Sequence, residues 1–139
     1  MKITTKGRYG LTIALELARA YGKNPVSLRS IATSKNLSEH YLEQLVAPLR
    51  NAGIIKSIRG AHGGYILNGP PREITAGDVI RTLEGPIVLV ESLEDEEAAQ
   101  RELWIMMRDA IRRILDHTTL ADLIQHDPDD QSSGYMFYI

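Results

Sequence analysis

The residues of this chain that could do chemistry fall into two small groups. One is SEHYLEQ, residues 38–44, which sets Ser38, His40, Glu43 and Gln44 within two turns of a prospective helix. The other is RGAHGGYIL, residues 59–67, which places Arg59 and His62 among Gly60, Gly63 and Gly64. Neither is laid out for catalysis. The chain has no nucleophile elbow, and Gly63-Gly64 stands between the apolar runs IIKSI and YIL, which read as two strands of a hairpin rather than a phosphate-binding turn. His40, His62, His117 and His126 form no HxxxH or HExxH pair, so no zinc site is expected. With no cysteine in 139 residues, disulfides, thiolate-held zinc, all-cysteine iron–sulfur clusters and cysteine nucleophiles are excluded. The chain reads as no enzyme, and no cofactor or metal is expected.

The two groups suit the reading of nucleic acid. A glutamine can pair with adenine, a glutamate can accept from the cytosine amino group, and an arginine can enter a narrow minor groove. Charge supports that choice. The formal net charge of −2 hides a division: residues 1–67 carry ten Lys and Arg against three acids, about +7, and residues 68–139 carry six against fifteen, about −9. A basic half is drawn to a polyanion by counterion release while an acidic half is held off it, which orients the molecule.

The elements that must position these groups follow from periodicity. Leu11, Ala14, Leu15, Ala18 and Tyr21 recur at helical spacing, predicting a first helix over residues 5–21 that stops at Gly22. A short helix opens at Ser27 with Leu28, Ile31 and Ala32 inward, and SKNL makes a tight turn. A longer helix then opens at Ser38, a good N-cap, with Glu39 at its positive end. Tyr41, Leu42, Leu45, Val46 and Leu49 form its apolar stripe. Pro48 is expected to kink or break it near Val46, and Gly53 ends it. The hairpin follows, with Gly60, Gly63 and Gly64 expected at positive φ.

Three helices and then a hairpin is the order of a winged helix-turn-helix, whose third helix enters the major groove while the hairpin wing reaches backbone or minor groove. On that plan Ser38, His40, Glu43 and Gln44 face bases, although a solvated helix-face Glu43 is an equal reading. Arg59, at the wing with Gly60, borders the minor groove, and His62 is a weaker contact. Lys6, Arg8, Arg50 and Lys56 contact phosphates or simply keep the surface soluble. Tyr41 reads mainly as core, with its hydroxyl reaching outward.

The acidic half predicts a dimer. Thr75 and Asp78 make a capping box for a helix over residues 76–84, closed by Gly85-Pro86. A long helix is expected from about Glu94 to His117, with Glu94 to Glu97 in its first turn. Its apolar face, Leu103, Trp104, Met107, Ala110, Ile111, Ile114 and Leu115, is wider than one packing seam needs. Packing against a symmetry mate would bury the surplus and set two recognition helices about 34 Å apart, one duplex turn. A merely broad core face is the alternative. Thr119 and Asp122 cap a last short helix through Ile124. The fold class is therefore mainly α with a small β-hairpin wing. The divisions are residues 1–85 for DNA binding, 86–126 for dimerisation and 127–139 as a C-terminal tail.

MKITTKGRYGL, LSEHYLEQLVAPLRNAGII and SIRGAHGGYIL together resemble the Rrf-two family of bacterial winged-helix transcription regulators, over nearly the whole chain. RELWI, TTLADL and the ending YMFYI resemble the branch of that family concerned with cysteine metabolism. The resemblance implies a homodimeric repressor on a palindromic site of double-stranded DNA, with base-reading positions at His40, Glu43 and Gln44 and a minor-groove arginine at Arg59. Cluster-binding members hold iron and sulfur with cysteines after the wing, and ESLEDEEAAQRELW has none. The resemblance implies cysteine synthase (O-acetylserine thiol-lyase) as co-repressor in place of a cluster. Such synthases accept an isoleucine-ended tail in their active site, and Tyr138 and Ile139 would mimic it; docking of YMFYI back onto the dimer is the alternative. A winged-helix protein-interaction module without sequence-specific DNA binding is the rival function. There is no 18-residue apolar run and MKITTKGRYG lacks a signal-peptide core, so no membrane contact and a cytoplasmic location are expected.

Overall fold

The computed structural model describes residues 2–127. The tail residues Tyr138 and Ile139 lie outside them. The described elements are α1 (Thr5–Arg19), α2 (Leu28–Lys35), α3 (Glu39–Asn51), β1 (Ile55–Ile58), β2 (Gly64–Leu67), α4 (Ala76–Glu84), α5 (Ala98–His117) and α6 (Leu120–Ile124). The fold class is the one expected, mainly helical with an antiparallel hairpin. Among the described residues no helix is long and apolar enough to cross a membrane.

α1 ends two residues earlier than the periodicity predicts, and its buried face is rotated. Ile13, Ala14, Leu17 and Ala18 are buried, whereas Tyr21 falls beyond the helix end and is exposed. Gly7 and Gly10, one turn apart, explain the rotation. A Cβ at Gly10 would run into Leu83 and one at Gly7 into Glu84, so the two glycines let α4 lie directly on α1. The Ser27 hydroxyl accepts from the Ser30 amide at 3.1 Å to start α2, and Leu28, Ile31 and Ala32 are buried as predicted. Asn36, left-handed at φ 56°, makes the turn to α3.

Pro48 does not divide α3, which runs unbroken from Glu39 to Asn51. An interior proline costs about 3 kcal/mol through its lost N–H and its clash with the preceding turn. Leu42, Leu45, Val46 and Leu49 lie on both sides of it and are at most 3% exposed. At about 1.5–3 kcal/mol for each buried side chain, their burial outweighs that cost and keeps the helix continuous.

The hairpin pairs Ile55 with Leu67 and Ile58 with Gly64. A third strand position escaped the sequence reading. Val26, just before α2, bridges Tyr65 through bonds of 2.9 and 2.8 Å, tying the wing to the helix-turn-helix. That bridge accounts for Gly64, at φ +150°, because a Cβ there would lie 2.6 Å from the Val26 carbonyl oxygen. Gly60 has the positive φ expected of it, but Gly63 does not. Its reason is close approach, since a Cβ would meet the Ile58 carbonyl.

The predicted capping boxes Thr75–Asp78 and Thr119–Asp122 both form, and they start α4 and α6 where expected. α5 starts at Ala98 rather than Glu94. Residues 93–95 make a separate 3-10 turn, and the Arg101 guanidinium donates to the carbonyls of Leu93 and Glu96 at 2.8 and 2.9 Å. The acids Glu94 to Glu97 thus precede the helix instead of filling its first turn. Leu120, at the head of α6, is fully buried in the same core as α1 and α3. Asp127 then meets Arg19 through two hydrogen bonds of 2.7 and 2.9 Å. The hydrogen bonds from Arg19 hold the Asp127 carboxyl below its usual range.

Candidate nucleic-acid interface

α3 is two-faced. Leu42, Leu45, Val46 and Leu49 point into the core, and Ser38, Glu39, His40, Glu43 and Gln44 are exposed. The Ser38 hydroxyl accepts from the Tyr41 amide at 3.3 Å, making it the cap that the sequence suggests. His40 sits between the other two polar candidates. Its Nδ1 is 4.0 Å from Glu43 Oε2, and its Nε2 is 3.5 Å from Gln44 Nε2, the outer limit of a hydrogen bond. The three side chains therefore form one exposed polar cluster, with donors and an acceptor in easy reach of one another.

Tyr41 joins this cluster to α1. Its ring is half-buried and meets Tyr9 edge to face, with centroids 5.8 Å apart, while its hydroxyl donates to Thr5 Oγ1 at 3.4 Å. Thr5 and Tyr9 were not singled out in the sequence, where nothing links positions 36 and 32 residues apart. Lys6 and Arg8 are exposed on the first turns of α1, and the Arg8 guanidinium carbon lies 5.8 Å from the centre of the Tyr9 ring. The start of α1 and the start of α3 thus share one surface.

The start of α1 has an unusual cap. Thr4 occupies the N-cap position but makes no side-chain cap bond. Glu84, at the end of α4, supplies the cap instead. Its Oε1 accepts from the Thr4 hydroxyl at 2.5 Å and from the Thr4 and Gly7 amides at 2.9 Å each. The Thr4 hydroxyl bond, reinforced by those amides and the Lys6 charge, holds the Glu84 carboxyl below its ordinary value. A carboxylate at a helix N-terminus also offsets the macrodipole. Sequence reasoning missed Glu84, because a cap drawn from 80 residues away leaves no local pattern.

The remaining candidates stand in two further places. Arg50 and Lys56 are exposed at the end of α3 and in β1. Arg59, Gly60 and His62 are exposed together at the hairpin tip, and His62 lines a recess with Ser27 and Ser30 at the head of α2. On α5 no residue is buried; Leu103, Met106, Met107 and Ile114 are 48, 62, 42 and 63% exposed, and Trp104, Ala110 and Ile111 are half-buried. Met106 thereby extends the predicted apolar stripe.

Comparison with known proteins gives this arrangement its context. Residues 3–126 match the Rrf2 family model, described as an iron-dependent transcriptional regulator. The chain is 66% identical, over the whole length of both proteins, to the HTH-type transcriptional regulator CymR of Bacillus subtilis. The solved structure of that protein, described as the global cysteine regulator, superposes with a TM-score of 0.87 over 91% of this chain and 98% of the other. Staphylococcus aureus CymR, 58% identical, superposes at 0.79 over 89% and 98% of the two chains. The residues do not fit a family iron–sulfur cluster. There is no cysteine to ligate one, and among the described residues no group of three or more His, Asp or Glu could hold a metal. The chain belongs to the Rrf2 family of helix-turn-helix transcriptional regulators and is not an enzyme.

Proposed function

We propose that the chain is a dimeric repressor that binds palindromic operator DNA and governs cysteine and sulfur metabolism. The observation that carries the reading is the exposed polar cluster of His40, Glu43 and Gln44 on an otherwise core-facing helix, flanked by exposed cations and followed by a hairpin with Arg59 at its tip. In this reading residues 1–85 bind DNA. Ser38, His40, Glu43 and Gln44 read base edges in the major groove, Tyr41 braces them, and Arg59 with Gly60 and His62 addresses the minor groove. Lys6, Arg8, Arg50 and Lys56 bind phosphates.

The dimer forms through residues 86–126. Leu103, Met107, Ala110, Ile111 and Ile114 make the seam with Trp104 at its edge, because so much apolar surface on a 20-residue helix calls for a partner. Likeness to proteins named for cysteine regulation supports the choice of regulon. The co-repressor in this reading is cysteine synthase, engaged by Tyr138 and Ile139 of residues 127–139, and its support is the family resemblance alone. O-acetylserine would compete with that contact, and its accumulation when sulfur is scarce would weaken repression.

Salt tests the reading. Four phosphate-binding cations per protomer, eight per dimer, predict that log K falls against log salt with a slope of about −7. Arg50→Ala should make that slope shallower by about 2, and Arg59→Ala should cost roughly 1–3 kcal/mol of affinity. Near-flat salt dependence contradicts the DNA-binding reading. Deleting Ile139 should abolish the complex with cysteine synthase, and unchanged affinity for the enzyme removes it as the tail's partner.

A further inference from the structure

The segment between α4 and α5 and one flank of α5 line a half-open cavity of about 320 Å³. The apolar run of residues 87–90 and the Trp104 ring line it, with Arg108 and Arg112 on the helix side and Glu91 and Glu94 on the segment. Three observations mark it as more than a packing gap. The Trp104 indole N–H is buried and has no acceptor among the described residues. An unmade buried donor is costly, so this wall of the cavity is imperfectly satisfied. Arg108 reaches only its neighbour Asp109, at 3.2 Å, and Arg112 has no carboxylate partner among the described residues. The amides of residues 87–92 donate to no backbone carbonyl among those residues.

The cavity meets the edge of the proposed dimer seam at Trp104, and its two arginines stand away from that seam. Trp104, Arg108 and Arg112 follow one another at four-residue steps and form a single stripe. At about 100° per residue Arg108 and Arg112 lie roughly 140° and 180° around α5 from Leu103, while Trp104 lies beside Ile111 at the seam's edge. A second copy seated on the apolar stripe leaves Arg108 and Arg112 to the cavity.

We propose that the cavity binds a small molecule bearing one carboxylate on a short apolar body. The carboxylate would pair with Arg108 and Arg112, which present planar donors matched to its two oxygens. The body would lie against the Trp104 ring and residues 87–90. Two guanidinium groups set against Glu91 and Glu94 favour a single negative charge over the double charge of a phosphate ester. The two acids can also receive an α-ammonium group, so both a plain carboxylic acid and an α-amino acid share the required chemistry. The site's position gives it a regulatory role: the segment begins three residues after Glu84, whose carboxylate caps α1, and Ile87 is anchored in the fold at 7% exposure.

Trp104 is the only tryptophan, so its emission reports directly on the cavity and needs no DNA. The full-length protein is titrated with hexanoate, norleucine, hexanol and hexyl phosphate. Hexanoate or norleucine should give a saturable emission change, with hexanol and hexyl phosphate at least about tenfold weaker. Tighter norleucine identifies an amino-acid site served by Glu91 and Glu94, and tighter hexanoate a plain carboxylic-acid site. Arg108→Met and Arg112→Met should each weaken binding about tenfold with an unchanged far-UV spectrum, and Arg108→Lys should weaken it less. An equal response to hexanol or hexyl phosphate overturns the proposal. So does unchanged binding in both methionine variants, or no saturable change with either carboxylate at concentrations on the order of 10 mM.

Discussion

Gly7 and Glu84 act as one unit, and a double-mutant cycle measures the bond between them. Glu84→Ala removes three hydrogen bonds at the head of α1, two of them to amides that no intrahelical carbonyl can serve. Water replaces part of what is lost, so the cost should be that of losing a strong cap, about 1–2 kcal/mol. Gly7→Ala places a Cβ 2.7 Å from Glu84 Oε1 and 2.9 Å from its Cγ, so the carboxylate must leave. That costs about what Glu84→Ala costs, less the roughly 1 kcal/mol by which alanine is the better helix former. With Glu84 already alanine, Gly7→Ala has little left to displace and should be neutral or stabilising. The coupling energy is then about 1–2 kcal/mol.

Urea unfolding at fixed protein concentration reads this directly. Glu84→Ala should lower the midpoint by roughly 0.5–1 M, and Gly7→Ala should lower it in the parent but not in the Glu84→Ala background. The pH dependence has a definite sign. Because the folded-state pKa of Glu84 is depressed, its contribution is complete above the unfolded pKa of about 4.3 and is lost as pH falls through the folded value. The parent should therefore exceed Glu84→Ala by a constant margin from pH 6 to 8 and converge on it in acid. Strictly additive effects of the two substitutions would refute the clamp.

Gly64→Ala should destabilise by roughly 2–4 kcal/mol, because the new Cβ meets the Val26 backbone at a positive φ. Gly60→Ala has no atom within 4 Å of its Cβ and should cost only the strain of about 1–2 kcal/mol. Thermal unfolding of the pair separates crowding from strain, and equal losses would argue against the Val26 bridge as the wing's anchor. Ile114→Glu combined with Met107→Glu should convert a dimer into a folded monomer. Sedimentation reads the mass, and a variant that stays dimeric moves the seam off this stripe of α5.

What the sequence made legible was whatever is written locally. The caps at Ser27, Ser38, Thr75 and Thr119 appear where expected, because each depends on residues within three positions. The hairpin and the apolar stripe of α3 were legible for the same reason. Features set by distant partners were not. The inward rotation of α1 follows from Leu83 and Glu84 packing on Gly10 and Gly7, and Gly64 answers to Val26. The break considered at Pro48 does not occur, because its local cost is outweighed by the tertiary burial on either side, and α5 began late because Arg101 reaches back to the preceding carbonyls. In the candidate interface, the residue types at 38–44 and 59–62 were legible. The bracing of the α3 cluster by Thr5, Tyr9 and Glu84 was not, since it depends on contacts 32 to 80 residues apart.

The central claim is that α3 and the wing read a palindromic operator. The most direct test is selection of sheared genomic DNA by the full-length protein at one near-physiological salt concentration, with and without cysteine synthase, followed by sequencing of what is retained. The account predicts enrichment of palindromes with half-sites one duplex turn apart, upstream of sulfur-assimilation genes, sharpened by the enzyme and lost with Arg59→Ala. Retention of no common sequence in either arm would contradict it.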